Sequence, residues 1–128
     1  MNVLDENIIT PERERLRAWR VHFRRIGVEV GRFGIDDREK IIPLLHSLRR
    51  PTFFTGDQGF YHPMLRPHGY CLVYLDVDFD ETADFIRRFL RHPAFRTQAQ
   101  RMGKVVRVRH SGVTYWQVGE QGERWIGW

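Results

Sequence analysis

The feature that most constrains this fold is a near-continuous apolar run, GYCLVYLD, at residues 69–76. A strand with one face in water alternates apolar and polar residues, whereas a strand covered on both faces is apolar almost throughout. The run therefore predicts a central strand with other elements packed on both sides. Shorter apolar segments at 2–4, 28–30 and 52–55 predict three further strands. Helical patterns between these strands predict an α/β fold with a parallel sheet and right-handed crossovers.

The first predicted helix has a clear beginning and a clear end in the sequence. Thr10-Pro11-Glu12 combines a capping hydroxyl, an early proline and an acid in the first turn. Apolar residues then recur at steps of three and four as far as Ile26. Gly27 follows and is expected to end the helix.

The second predicted helix is open to two interpretations. Asp36 and Glu39 have capping-box spacing, which favours a helix start at this point. Pro43 removes a backbone donor inside the run. Either the helix kinks at Pro43, or its regular part begins there and continues to Arg49. A third helix is predicted over residues 80–91.

The last quarter of the chain differs from the rest. Residues 105–118 form two alternating segments around Ser111-Gly112, a pattern typical of a β-hairpin. No Asp or Glu occurs between residues 85 and 119. We therefore predict one domain, in which residues 1–91 form the α/β core. Residues 92–128 are expected to form a basic, aromatic extension with a C-terminal hairpin, packed on the same domain.

Composition excludes several classes of protein. The apolar and charged fractions, 41% and 29%, are those of a soluble globular protein. No apolar run approaches the roughly 20 residues of a membrane helix, and Asp5 and Glu6 interrupt the apolar start, so a signal peptide is not expected. Cys71, the one cysteine, is predicted to be a buried thiol without a catalytic role. We expect a cytoplasmic protein with no membrane partner.

The positive charge points to a phosphate-bearing partner. The net charge is +5, and all but two of the 21 basic side chains, Lys40 and Lys104, are arginines. Arginine presents a planar fork that binds phosphate at two points. Four basic residues of the acid-free segment are candidates for contacts to a nucleic-acid backbone: Arg101, Lys104, Arg107 and Arg109.

Acidic residues follow three of the predicted strands. They are Asp5 and Glu6 after the first, Asp36, Asp37 and Glu39 after the second, and Asp57 after the third. Because ligands of parallel α/β sheets bind outside the carboxyl ends of the strands, we expect these acids to converge. Mg²⁺ and Mn²⁺ prefer oxygen ligands and retain waters, so two or three carboxylates suffice. The structural alternatives are a helix cap at Asp36 and a turn at Asp57.

Three motifs in order along the chain resemble the PIN-like ribonuclease superfamily. They are the opening NVLDENI, the segment GIDDREKI and the turn FFTGDQGF. The nearest branch is the small group whose first strand runs into Asp-Glu-Asn, which is close kin to VapC-type toxins. The resemblance covers about residues 2–91. It implies a three-layer α/β/α fold and a Mg²⁺- or Mn²⁺-dependent endoribonuclease, often a toxin that a partner antitoxin neutralises.

The resemblance also implies roles for individual acids. Asp5 would be the first metal ligand with Glu6 beside it, Asp57 would be the acid after the third strand, and Glu39 or Asp37 would supply the middle acid. Catalysis would then depend on Asp5, Asp57 and Glu39. Two glycines depart from the family pattern: Gly56 replaces a basic residue, and Gly59 replaces a second Asp. Loss of that Asp removes a carboxylate. Asp76 and Asp78 after strand four are candidates to replace it, but the favoured interpretation of this pair is a loop residue and a helix cap.

The aromatic residues near the end leave two interpretations open. In one interpretation these side chains stack on RNA bases, and in the other they pack on the core or on a partner. The residues concerned are Tyr115, Trp116, Trp125 and Trp128. Strand alternation favours burial of either Tyr115 or Trp116. The terminal tryptophans suit a contact with a second copy of the chain or with an antitoxin.

Two other functions compete with RNA cleavage. A receiver-like signalling domain also places paired acids after its first strand and a phosphoacceptor Asp after its third, but it needs a hydroxyl after strand four and a Lys after strand five. Leu75-Asp76 ends strand four here. The other alternative keeps the PIN-like fold without catalysis, as an RNA- or protein-binding subunit.

Overall fold

The computed structural model describes residues 1–31, 38–65 and 69–128, the side chain of Arg38 excepted. Seven strands form one mixed sheet in the order β2-β1-β3-β4-β5-β6-β7. Their bounds are β1 Asn2–Leu4, β2 Arg24–Arg25, β3 Thr52–Thr55, β4 Cys71–Leu75, β5 Lys104–Arg109, β6 Gly112–Gln117 and β7 Arg124–Ile126. The predicted α/β class is confirmed.

The first five strands are parallel and the last two are antiparallel. β1 lies between β2 and β3, and β4 and β5 follow with parallel pairing. β5 and β6 form the predicted hairpin, and β7 pairs with β6. Because β5 is also the fifth parallel strand, the hairpin is continuous with the sheet and not an addition to its edge. The apolar run ends where predicted, at Leu75, which is buried.

Four α-helices occur in the described ranges: α1 Thr10–Ala18, α2 Arg38–His46, α3 Thr82–Arg91 and α4 Gln98–Arg101. α2 includes Pro43, so the helix begins before the proline and ends at His46, short of Arg49. Short 3-10 turns cover Gln58–Phe60, Pro63–Leu65 and Phe79–Glu81. In the described part of the chain, each helix is too short or too polar to cross a lipid bilayer.

The sheet buries side chains on both of its faces. Leu4, Phe54, Val73 and Val106 pack with Leu16 of α1 and with Ala83, Ile86 and Phe89 of α3. The neighbouring residues along the strands, Val3, Phe53, Leu72 and Val105, pack with Ile41 and Leu45 of α2. Successive strand side chains point to opposite faces, which explains this division. Each large apolar side chain in these clusters contributes roughly 1.5–3 kcal/mol by leaving water.

The prediction for residues 10–30 was wrong in two respects. α1 ends at Ala18 and not near Ile26, because Arg20 takes a left-handed conformation (φ 60°) and the Val21 N–H bonds back to the Leu16 carbonyl. Ile26 is buried on the opposite face of the sheet from Leu16, so their helical spacing was coincidental. β2 lies at Arg24–Arg25 and not at 28–30, since Gly27 (φ 85°) turns the chain there.

The crossovers define a switch point in the sheet. The chain passes from β1 through α1 to β2, then through α2 to β3 on the other side of β1. α1 and α2 pack on opposite faces of the sheet. In doubly wound sheets a crevice opens outside the carboxyl ends at this position, here between β1 and β3.

Candidate metal centre

The carboxyl ends of β1 and β3 lie side by side. Leu4 pairs with Phe54, and the Asp5 N–H donates to the Phe54 carbonyl at 2.9 Å. Asp5 is therefore fixed in the first position beyond β1, next to Thr55, the last residue of β3. Asp57 follows two residues later. The predicted positions of Asp5 and Asp57 at neighbouring strand ends agree with the structure.

The Asp5 carboxylate is held by hydrogen bonds from both strand ends. Its Oδ1 accepts the Glu6 N–H at 2.8 Å, and its Oδ2 accepts the Thr55 hydroxyl at 2.7 Å. The Asn7 amide approaches the same Oδ2 at 3.5 Å. Asp5 is only 8% exposed and Thr55 is fully buried. The carboxylate has one orientation, set by the pairing of β1 with β3.

Burial makes the charged form of Asp5 unfavourable in the protein alone. Desolvation raises the pKa of Asp5, and the nearby carboxylates of Glu6 and Asp57 raise it further. Hydrogen bonds from Thr55 and Glu6 offset part of this effect. A cation at the same place would act in the opposite direction, since it favours the ionised carboxylate.

Asp57 is linked to Asp5 through Thr55. The Asp57 N–H donates to the Thr55 hydroxyl oxygen at 3.0 Å, and that hydroxyl donates to Asp5. The exposed Asp57 side chain accepts the Gly59 N–H at 2.9 Å and caps the 3-10 turn that follows. Asp57 thus has the turn role that the sequence allowed, and its charge is close enough to Asp5 to raise the pKa of that carboxyl.

Asn7 and Thr55 are functional candidates that sequence reasoning missed. The Asn7 side chain accepts the Gly56 N–H at 3.1 Å and approaches the Thr55 hydroxyl at 3.4 Å, so it joins the two strand ends. The signal was present in the Asp-Glu-Asn motif, to whose Asn no role had been assigned. Gly56 is explained by the same packing, because a Cβ there would lie 3.3 Å from the Phe79 ring and 3.7 Å from the Asn7 amide.

The other predicted ligands are less closely connected. Glu6 is half-buried directly after Asp5, and Glu39 lies exposed in the first turn of α2. Asp36 and Asp37 lie outside the described residues. Within the described ranges, three acidic or histidine ligand atoms come mutually within 4.8 Å at Asp78, Asp80 and Glu81, and not at the Asp5 centre.

The Asp78–Asp80–Glu81 group has a structural explanation. The Glu81 carboxylate accepts the Asp78 N–H at 3.1 Å and lies 2.8 Å from His110 Nε2. These bonds lower the pKa of Glu81, and they fix the turn before α3. Asp78 and Asp80 are exposed. Capping therefore explains this group without a bound ion.

The residues around Asp5 fit a hard divalent cation. Carboxylate oxygens are available from Asp5, Glu6 and Asp57, and the one thiol of the chain, Cys71, is fully buried in β4. Asp5 is oriented by hydrogen bonds to its own oxygens, as metal-binding carboxylates commonly are. Such an ion retains waters, so it does not require a complete set of protein ligands.

Space for a larger ligand lies beside Asp57. A cleft of about 370 Å³ is lined by Gln58, Gly59, Tyr61, His62, Tyr74 and Arg107. The Tyr61 hydroxyl donates to Glu123 at 2.7 Å, which ties the segment before β7 to the cleft. The cleft is open and lies on the carboxyl side of β3 and β4.

The structure distributes the four predicted RNA-binding residues over both ends of β5. Arg107 lies in the cleft, where its guanidinium pairs with Asp76 at 2.6 Å. Arg109 is two residues further toward the carboxyl end. Lys104 begins β5 at the opposite edge, and its ammonium donates to the Gln100 carbonyl. Only Arg107 and Arg109 are thus on the side of Asp5.

Arg101 requires a correction. It is 6% exposed, and its guanidinium donates to the Thr52 hydroxyl and to the carbonyls of Phe95 and Arg96. A side chain this buried, whose Nε and Nη1 already donate within the protein, is not available to bind a phosphate backbone. The cause is that α4 packs against the amino end of β3, a long-range contact that charge patterning cannot reveal.

The C-terminal aromatics mostly pack on the protein. Tyr115 and Trp116 are both half-buried, on opposite faces of the sheet, so the prediction that alternation buries one of them was too narrow. Trp128 packs on the same cluster as Phe85 and donates to the Arg109 carbonyl at 2.8 Å. Trp125 is 63% exposed.

Comparisons with known proteins add no further assignment to this geometry. No family model, no curated protein and no solved structure matches the chain.

Proposed function

We propose that this protein is a metal-dependent endoribonuclease of PIN-like, three-layer α/β/α architecture, with Mg²⁺ or Mn²⁺ held at Asp5. The observation that carries the proposal is the burial of Asp5 at the switch point between β1 and β3, beside Glu6 and Asp57. A buried carboxylate surrounded by like charges costs free energy in a purely structural role. A cation removes that cost.

The residues divide into ligands and supports. Asp5 and Asp57 would hold the ion, with Glu6 beside them and Glu39 or Asp37 as the middle acid that the family resemblance implies. Thr55 and Asn7 do not contact the ion in this proposal; they orient Asp5 through the hydrogen bonds described above. The cleft next to Asp57 gives an RNA strand room to approach.

The chemistry of such a centre is phosphodiester hydrolysis. When bound, Mg²⁺ or Mn²⁺ would supply a Lewis acid that polarises the scissile phosphodiester and helps to activate a water for attack. The protein's contribution would be to hold the Asp5 carboxylate in one orientation, while the bound cation would favour its ionised form.

One observation favours a second candidate, a PIN-like RNA- or protein-binding subunit without catalysis. The carboxylates of Asp5, Glu6 and Asp57 do not meet within 4.8 Å of one another, and Gly59 stands where a further Asp would lie. The receiver-like alternative shares the strand order β2-β1-β3-β4-β5. It is weakened by Asp76 after β4, where a hydroxyl is required.

The test is cleavage of a labelled single-stranded RNA with Mn²⁺ or with a chelator. We expect wild-type cleavage that needs the metal. Asp5→Asn and Asp57→Asn should each slow it by more than the roughly 100-fold that loss of a residue supporting a metal ligand costs. Asp80→Asn is the matched control, since it removes one carboxylate charge from the exposed capping group, and it should leave the rate unchanged.

Two results would reject the enzyme. Full activity in Asp5→Asn would show that the centre lies elsewhere. Absence of cleavage by the wild type, together with saturable RNA binding, would favour the non-catalytic subunit.

A further inference from the structure

Four arginines lie on the α1 side of the β2 end of the sheet and are not used by the centre described above. They are Arg13 and Arg17 of α1, Arg20 in the turn after it, and Arg25 of β2. We propose that this group, the basic edge, holds the phosphates of the RNA beside the acidic centre, chiefly through Arg17 and Arg25, with the charge of Arg13 next to them. The inference rests on the proposed function for the identity of the polyanion.

The basic edge adjoins Asp5 through backbone pairing. β2 is the neighbour of β1, and Arg25 pairs with Leu4, the residue before Asp5. Adjacent strands are about 4.8 Å apart, so Arg25 lies one strand away from the acidic centre. It also faces the same side of the sheet as Leu4, which is the side that α1 covers.

Arg13 is anchored on the loop that begins with Asp5. Its guanidinium donates to the Ile8 carbonyl at 2.5 Å and to the Thr10 hydroxyl at 2.7 Å. Its Nε is buried and has no hydrogen-bond partner within the described ranges. Because α1 starts at the carboxyl edge of the sheet, this anchoring keeps a positive charge on the same edge as Asp5.

The basic edge is not neutralised by the protein. Arg15, Arg107 and Arg124 each form an ion pair with an acid, whereas the four arginines of the basic edge form none among the residues described. Two acids lie near them. Glu14 is next to Arg13, and the Glu29 carboxylate accepts the backbone N–H of Arg25 and not its guanidinium.

The repulsion within the group is visible at Arg13. Burial lowers the pKa of Arg13, and the charges of Arg25 and Arg17 lower it further. Like charges held close together raise the free energy of the protein alone and create a positive potential that an anion relieves. RNA supplies a regularly charged backbone of this kind.

The shape of the basic edge suits a nucleotide. A cleft of about 300 Å³ is lined by Arg17, Arg20, Val21, His22, Phe23 and Glu29. The Arg17 guanidinium lies 5.0 Å from the centre of the Phe23 ring. Arginine beside an aromatic ring is a common platform for a phosphate and its stacked base. The C-terminal Arg107, by contrast, is engaged by Asp76.

The experiment measures RNA binding without any cleavage. Affinity for a labelled single-stranded oligoribonucleotide is followed by fluorescence anisotropy in a chelator, over a series of salt concentrations. The test variant is Arg17→Gln/Arg25→Gln, because neither side chain donates a hydrogen bond within the described ranges. The matched control is Arg49→Gln/Arg91→Gln, which removes two exposed charges on the amino side of the sheet, one in the loop between α2 and β3 and one at the end of α3.

Each lost phosphate contact should reduce the steepness of the plot of log affinity against log salt concentration by about 0.7. The slope should therefore be less steep by about 1.4 in the test variant and unchanged in the control. An unchanged slope in the test variant would overturn the inference. An equal loss of slope in the control would also overturn it, because the effect would then follow from net charge alone. Failure of the wild type to bind RNA would overturn it as well. Equal competition by poly-glutamate would overturn it in favour of an acidic protein partner.

These outcomes separate the inference from the proposed function. RNA binding that depends on Arg17 and Arg25, without metal-dependent cleavage, refutes the enzyme and supports the basic edge. Cleavage that depends on Asp5, with an unchanged salt slope in the arginine variant, refutes the basic edge alone.

Discussion

Two acidic groups occupy the carboxyl side of this sheet, and they differ in almost every physical respect. Asp78, Asp80 and Glu81 bring their ligand atoms within 4.8 Å but are exposed or half-exposed and bonded within their own turn. Asp5 is buried, its pKa is raised, and its hydrogen bonds join two strands. The short distances between the carboxylates of Asp78, Asp80 and Glu81 thus reflect capping of a turn. The burial of Asp5 without a positively charged partner among the described residues instead indicates a candidate site.

The two groups differ in whether their negative charge stabilises the folded protein. The Glu81 charge is favourable in the folded protein, since His110 and the Asp78 N–H lower its pKa. The Asp5 charge is unfavourable there, since desolvation and like charges raise its pKa. Only the second arrangement leaves something for a cation to relieve.

The largest expected effect on stability comes from the hydroxyl between the strand ends. Thr55→Val removes the donor to Asp5 and the acceptor of the Asp57 N–H while keeping the side-chain shape. We expect a loss of about 1–3 kcal/mol, because a buried charged group and a backbone donor both lose a partner. Chemical denaturation measures it.

The control for that variant belongs to the other acidic group. Thr82 is also buried, and its hydroxyl donates only to the Phe79 carbonyl. Thr82→Val should cost about 1 kcal/mol or less. Equal losses in the two variants would mean that Thr55 supports nothing beyond ordinary packing.

A smaller effect should have opposite signs in the two groups. Without metal at neutral pH, Asp5→Asn should raise the melting temperature slightly, because it removes a charge that burial disfavours. Glu81→Gln should lower it, because it removes a charge that the fold stabilises. Matching signs in thermal melts would contradict the distinction.

The pH dependence follows from the direction of each shift. The folded pKa of Asp5 lies above its unfolded value of 3.8, so folding binds a proton and stability falls as the pH rises through that window. The gain from Asp5→Asn should therefore vanish below about pH 3.8. The folded pKa of Glu81 lies below 4.5, so its contribution is present above that pH and is lost as the pH falls through the folded pKa.

The smallest expected effect concerns Gly59. Gly59→Asp would add a carboxylate beside Asp57, and Mn²⁺ should bind modestly more tightly, since waters already complete the coordination of such an ion. Gly59 has no positive φ in the described structure, so a side chain carries no backbone strain. Gly59→Ala is the control, and equal Mn²⁺ affinity in the two variants would show that residue 59 faces away from the centre.

The sequence predicted the elements with the strongest periodicity. The apolar run of β4 is predictable because a strand buried on both faces is apolar throughout. The hairpin is predictable because a strand buried on one face alternates apolar and polar residues. The end of α1 could not be read in this way. Arg20 takes a left-handed conformation that is usually marked in a sequence by glycine, so the helix end had no sequence signal. Ile26 continued the helical spacing by chance, although it is buried on the opposite face of the sheet.

The candidate centre was predictable in place but not in detail. Strand ends alone indicated Asp5 and Asp57. The contacts of Asn7 and Thr55 depend on the register of β1 against β3, which no local pattern specifies. For the same reason Arg101 was misassigned and Arg13, Arg17 and Arg25 were overlooked, since the sequence shows a charge but not what packs beside it.

A metal site at Asp5 is tested most directly by calorimetric titration of Mn²⁺ into the metal-free protein, its Asp5→Asn variant and its Asp80→Asn variant. We predict saturable binding in the wild type and in Asp80→Asn, and none in Asp5→Asn. Binding that survives in Asp5→Asn and disappears in Asp80→Asn would place the metal at the exposed capping group and rule out a site at Asp5.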